Sequence, residues 1–289
     1  DKTLSSILVS TELIKEIAPS QSEFVDKETK DLISELYPKN KESIEQLKTR
    51  LSNLFTSNLD KYKSRQANDG HDLVFDGVIP TGEGKWVRVN GAGPLEPRAG
   101  EWMRWRIKDQ ISVPPPPIVG SEEDLTEISK VTFASASRDS EWVNKINFWG
   151  GAPGTEAPSG IWQNIAYDNI KEKFSNLSTE NQELINSYTQ MVLAQTLADA
   201  FIECWKVKYA YWTARPNMRN SSIVTAMDNP AFPSYVSGHS TISKAAADVL
   251  GYIYPDLKNK FENMAIEARD SRLYGGIHFE IDNIEGFNL

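Results

Sequence analysis

Pro233-Ser234-Tyr235-Val236-Ser237-Gly238-His239 runs directly into Ser240–Tyr252, a segment rich in alanine and aliphatic residues. It reads as a turn followed by a helix that starts near Ser237. A helix start presents unpaired backbone N–H groups and a partial positive charge, which suits an anion. Gly238 lets backbone approach a ligand closely. Ser237 adds a hydroxyl donor, and His239 stands where a proton donor or acceptor is useful. Taken alone, His239 reads equally as a helix-capping or partly buried histidine.

Upstream, Trp205, Lys208, Trp212 and Arg215 follow spacings of three, four and three. On a helix that pattern puts all four on one face. The stems of Lys208 and Arg215 would then stand roughly 10 Å apart along the axis, close enough for long side chains to converge on one ligand. A solvated basic face is the plain alternative, and the two tryptophans argue against it. Downstream, Ser271-Arg272 is followed by Gly275-Gly276, His278 and Asp282. An unbroken helix would turn about 600° between Arg272 and His278 and point them apart; the glycine pair lets the chain break and re-enter a helix. His278 and Asp282 lie one turn apart, so the carboxylate can accept from one ring nitrogen and leave the other as a lone-pair donor. Each block is weak alone. Together they bring three fixed cations, a hydroxyl, a glycine amide and two imidazoles toward one small oxyanion.

The rest of the chain is compatible with that site. Its 289 residues can bury a large core, and we expect a single domain over 1–289. No apolar run approaches the roughly 20 residues of a membrane span. A formal charge of −9 argues against non-specific nucleic-acid binding, and it makes a cationic cluster more informative. One cysteine, Cys204, leaves no intramolecular disulfide framework. The chain begins at Asp1 without methionine and stops seven residues after Asp282, so we expect a longer natural protein.

Residues 1–66 read as N-terminal helices, with a capping box at Ser20 and Glu23 and an amphipathic run from about Lys41 to Lys63. Residues 67–120 form a long irregular excursion rich in glycine and proline, including Pro114–Pro117. Trp86, Trp102 and Trp105 should pack it onto the body. Residues 121–289 are helical and carry the site, and the longest helix is expected from Ser178, as cap, to Arg215 before Pro216. The class is all-α.

The three blocks resemble those of the superfamily joining vanadium-dependent haloperoxidases and type-2 phosphatidic-acid-type acid phosphatases. The match falls on Lys208, Arg215, Pro216, Ser237, Gly238, His239, Ser271, Arg272, His278 and Asp282. Val236 departs where proline is usual, which should loosen the turn slightly. Phe148-Trp149-Gly150-Gly151-Ala152-Pro153-Gly154-Thr155, continuing to Trp162, is similar to a stretch of bacterial haloperoxidases, as are Pro94–Pro97 and Pro114–Pro117. The resemblance covers roughly residues 80–289.

The resemblance implies helical bundles of the haloperoxidase and acid-phosphatase type. It also implies vanadate held by Lys208, Arg215, Ser237, Gly238 and Arg272 and ligated by His278, with Asp282 orienting that ring and His239 helping to deprotonate hydrogen peroxide. Trp205 and Phe232 would line the pocket. Phe232 stands where chloro- and iodoperoxidases carry an aromatic and bromoperoxidases a histidine. Halide would be oxidised to a hypohalous-acid equivalent, with a small organic acceptor as a further partner. Phosphate fits the same donors, so the alternative is a soluble acid phosphatase working through a phosphohistidine at His278; a catalytically silent phosphate binder is a third reading. Gly151 and Ile161 replace an aspartate and a histidine of the bacterial stretch, leaving Arg272 freer unless Glu156 substitutes. Relatives are often secreted or attached to the cell envelope, which favours that location over the cytoplasm, and homodimers are common among them.

Overall fold

In a computed structural model of the protein, residues 2–109, 111–151 and 156–289 are described. They contain twelve α-helices, three 3-10 turns and no strand. The all-α expectation holds. None of these helices is long and apolar enough to cross a membrane. The chain groups into two compact units, one of residues 1–69 with 174–185, the other of residues 70–173 with 186–289.

The first unit holds α1 (Lys2–Ile17), α2 (Ser22–Leu36), α3 (Ile44–Arg50) and α4 (Ser52–Gln66). Leu4 and Leu8, one turn apart, pack with Ile33, Leu47 and Leu51. Thr11 and Thr29 satisfy each other's buried hydroxyls at 2.8 Å. Ser20 does not cap α2: it lies in the 3-10 turn Pro19–Gln21, and Ser22 opens the helix instead. The capping box occurs at Ser43 and Gln46. The expected 41–63 run is split at Leu51, which leaves helical geometry for one residue.

The second unit is built from α5 (Glu122–Ser137), α6 (Ser140–Phe148), α7 (Pro158–Lys173), most of α8 (Thr179–Tyr211), α9 (Pro216–Arg219), α10 (Gly238–Ile253), α11 (Lys258–Tyr274) and α12 (Glu280–Asn288). Ser121 and Asp139 cap α5 and α6 by accepting the N–H groups of Asp124 and Trp142. Ser178 accepts the Asn181 N–H at 3.4 Å, as expected. α10 packs along α11 after the 3-10 turn Pro255–Leu257, and also meets α12 and α7; α11 is backed by α5 and α6. Between Asp199 and Lys208, α8 is buried on nearly every side.

α8 stops at Tyr211, so Lys208 and Arg215 do not share one helix. Trp212 takes a positive φ of 56°, and Arg215 becomes the residue before Pro216, the first residue of α9. Proline prefers that first position because its missing N–H would have no helical acceptor anyway.

The glycine-rich excursion is irregular as expected. Trp86 is buried, its N–H donating to the Trp212 carbonyl at 2.8 Å. Trp102 lies against Phe201, whereas Trp105 stays 38% exposed. One of the segment's tethers was not suggested by the sequence. Asp199, buried on α8, accepts the backbone N–H groups of Trp105, Arg106 and Ile107 at 2.6, 2.6 and 2.9 Å.

Candidate functional site

Ser237 is the N-cap of α10, yet its side chain caps nothing. Its Oγ is buried and makes no hydrogen bond among the described residues. Its N–H donates to the Asp282 carbonyl at 2.9 Å, and its carbonyl accepts from Thr241. The next N–H groups open the helix without intrahelical partners. A methyl on Gly238 would rest on the Trp205 ring at 3.5 Å. Gly286 of α12 approaches so closely that a Cβ there would meet the Ser237 carbonyl oxygen at 2.7 Å and its nitrogen at 3.1 Å. Alanine normally favours a helix over glycine by about 0.5–1 kcal/mol. Gly286→Ala is instead expected to destabilise by about 1–3 kcal/mol through overpacking, read by denaturant unfolding; a stabilised variant would contradict that close approach.

The three cations are fully buried. Lys208 lies beneath the turn and donates to the carbonyls of Pro233, Ser234 and Val236, at 2.9 Å for the first two. Burial pushes its pKa down, while three carbonyls accept all three N–H donors and favour the charged form. Val236 is itself fully buried, and its carbonyl is one of these braces. Arg215 donates through Nη1 to the Ile277 carbonyl at 2.7 Å and to His278 Nε2 at 2.9 Å, and it also reaches the Phe232 carbonyl. Arg272 donates to Ser271 Oγ, the Ile146 carbonyl and the Met227 thioether. Burial lowers Arg215 to about 10; burial and then Arg215 lower Arg272 to about 9. Both stay charged at neutral pH.

His278 lies in the break between α11 and α12, not on a helix with Asp282. Gly276, at a φ of 72°, makes the turn, and Phe279 stands at the N-cap position of α12. Asp282 Oδ2 accepts from His278 Nδ1 at 3.0 Å, Ser234 Oγ at 2.5 Å and the Phe279 N–H at 3.1 Å. With Nδ1 donating to a carboxylate, Nε2 carries the lone pair. That lone pair faces Arg215. Burial pushes Asp282 up, against those hydrogen bonds and the two nearby cations.

His239, the second residue of α10, presents Nε2 to the Trp149 carbonyl at 2.6 Å. A carbonyl only accepts, so Nε2 bears the hydrogen and Nδ1 is the free base. Burial first, then Arg272, push its pKa well below the usual histidine value, so the ring is neutral at pH 7. His278 is likewise depressed by burial and Arg215. Trp205 and Phe232 lie with ring centres 4.8 Å apart. The Phe232 ring lies 5.1 Å from both the Lys208 ammonium and the Arg215 guanidinium.

Glu156 is exposed, Arg272 is fully buried, and among the described residues no ion pair joins them. Ile161 is buried in α7. Ala152, Pro153, Gly154 and Thr155 lie outside the described residues. Four contributors were not given a role by the sequence: Ser234 on Asp282, the Trp149 carbonyl on His239, Met227 on Arg272, and Gly286 against Ser237. Ser234 and Trp149 lay inside quoted stretches; nothing marked Met227 or Gly286.

The chemistry of the donor set fits a tetraoxo anion. Three buried cations face one buried carboxylate, itself turned to the far side of His278. An uncompensated charge in a low-dielectric interior is costly, and an anion relieves that cost. The orphaned Ser237 hydroxyl and the α10 N–H groups supply further donors.

No known protein-family model matches the chain, and no curated protein matches it. Solved structures do. The crystal structure of the first bacterial vanadium-dependent iodoperoxidase superposes with a TM-score of 0.80 over 99% of this chain and 75% of that one, at 22% identity. The chain has the vanadium-haloperoxidase fold. A holo-type bacterial vanadium-dependent chloroperoxidase gives a TM-score of 0.67 at 13% identity, covering 99% of this chain and 79% of that one. An apo-type chloroperoxidase gives 0.70 at 10% identity, covering 99% and 80%.

Proposed function

We propose that this chain is a vanadate-dependent haloperoxidase, oxidising halide with hydrogen peroxide to a hypohalous-acid equivalent. The observation that carries the reading is the buried cluster of Lys208, Arg215 and Arg272 around the start of α10, with the Ser237 hydroxyl unpartnered and the His278 Nε2 lone pair directed inward. The iodo- and chloroperoxidase structures that share its fold support the reading.

When bound, vanadate supplies the Lewis-acid centre at which peroxide is activated toward halide. His278 offers Nε2 as its ligand, held in that tautomer by Asp282. Arg215, Arg272, Ser237 Oγ and the Gly238 N–H would hold the anion's oxygens, and the Arg215 N–H that now lies on His278 Nε2 would be available to it. Lys208 adds charge from beneath the turn while holding it in shape. His239 Nδ1 takes a proton from peroxide, because its Nε2 is committed to Trp149. Trp205 and Phe232 give that side of the pocket an apolar wall suited to a weakly hydrated halide.

The test is reconstitution. Protein stripped of anion is expected to oxidise iodide or bromide with peroxide only after orthovanadate is added. Hydrolysis of p-nitrophenyl phosphate, inhibited by vanadate and without halide oxidation, would replace this reading with the phosphatase one.

A further inference from the structure

Arg272 is held by three acceptors of unequal strength. Its Nε donates to Ser271 Oγ at 2.9 Å and its Nη2 to the Ile146 carbonyl at 3.0 Å. Its Nη1 donates to Met227 Sδ at 3.3 Å, and a thioether is a weak acceptor. A guanidinium has five N–H groups, so two remain for an anion. Met227 is half-buried, whereas Arg272 is fully buried, and a Cβ at Gly150 would meet the Met227 methyl at 3.7 Å. A soft, oxidisable sulfur therefore touches this cation directly, on a residue that is only half-buried.

We propose that Met227 is a modification site that adjusts this pocket: oxidants of the peroxide or hypohalous-acid class convert its thioether to the sulfoxide, which weakens anion binding through Arg272. The proposal rests on the anion-site reading above. With hydrogen peroxide the sulfur lone pair attacks one oxygen, the O–O bond breaks and an S–O bond forms. The departing hydroxide takes the proton left on the transferred oxygen and leaves as water. Sulfur is oxidised by two electrons and the peroxide reduced by two. With a hypohalous acid the sulfur takes the halogen as the O–halogen bond breaks and hydroxide departs; water then adds to sulfur as halide leaves, and loss of two protons, one of them to that hydroxide, gives the same sulfoxide. The product oxygen is a far stronger acceptor than sulfur. It competes with the bound anion for Nη1 and adds bulk beside the guanidinium. Met227 is thus a positioning residue whose oxidation state sets how freely Arg272 can serve an anion.

The experiment uses the full chain, with inorganic phosphate as the probe of the pocket and calorimetry as the readout. After graded peroxide, peptide mass spectrometry should show one oxygen added at Met227. Phosphate affinity should fall roughly tenfold, the scale of one hydrogen bond to a charged group. Exposed Met103 serves as the dose reference. Met227→Leu, close in volume, should bind phosphate identically before and after peroxide. Met227→Gln, whose amide oxygen stands in for the sulfoxide, should bind weakly without peroxide and be indifferent to it. Met218→Leu should keep the full response, although Met218 Sδ lies 3.5 Å from the Arg215 nitrogen.

Met227 left unoxidised at doses that modify Met103 overturns the proposal. So does oxidation without an affinity change, or a response that survives in Met227→Leu. Untreated protein that binds no phosphate overturns the anion-site reading and the coupling with it; mass spectrometry then still shows whether the sulfur is oxidised.

Discussion

His278→Ala is expected to lose vanadate and halide oxidation together. Arg215, Arg272 and the α10 N–H groups can only donate hydrogen bonds, and the His239 lone pair is assigned to proton transfer. His278 Nε2 offers its lone pair to the metal, with its tautomer set by the 3.0 Å bond from Nδ1 to Asp282. Removing the imidazole also takes one of three donors from a buried carboxylate, at a cost of about 1.5–3 kcal/mol for a hydrogen bond to a charged group. Folding must therefore be checked alongside, by circular dichroism and thermal unfolding. The decisive quantities are vanadium retained per folded chain after desalting and the peroxide-dependent rate. A folded variant that keeps stoichiometric vanadium and full activity would remove His278 from the ligand role.

His239→Ala is expected to do the opposite with respect to the cofactor. It should retain vanadate and slow turnover by about 10²–10⁴-fold, the range for a lost general acid–base group. The ring's Nε2 is tied to the Trp149 carbonyl, which frees Nδ1 as the base. Burial, then Arg272, depress its pKa well below 6.5. The basic form is thus already present at neutral pH, and stays so as pH rises. Acidification through its depressed pKa is what would remove it. Steady-state rates and bound vanadium, measured on the same preparation, check the split. An unchanged rate, or vanadate lost as completely as in His278→Ala, would contradict the assignment.

Much of the site was readable in the sequence because its chemistry needs uncommon residues in fixed places. Ser237-Gly238-His239 marked a helix start, and α10 begins at Gly238. Gly275-Gly276 marked a break, and His278 emerges from it. The shared helix face of Lys208 and Arg215 was wrong, although both charges end beside Phe232. Periodicity cannot reveal a tryptophan at positive φ, and Trp212 ends α8 that way. Asp199 was equally hidden. A carboxylate on a helix reads as a solvated position, and only its three backbone N–H partners, some ninety residues earlier in sequence, explain its burial. Ser20 obeyed the capping pattern, but the preceding Pro19 starts a 3-10 turn and shifts the helix to Ser22. Met227 and Gly286 act through contacts distant in sequence, which local patterns do not encode.

One buried site in the second unit is proposed to bind a tetraoxo anion, with His278 Nε2 as its metal ligand. Anomalous scattering at the vanadium edge, from a crystal soaked in orthovanadate, tests it most directly. The expected result is one strong peak beside His278 Nε2, among Arg215, Arg272 and the Ser237 hydroxyl. A peak elsewhere, or none in a crystal whose pocket is open to solvent, would contradict it.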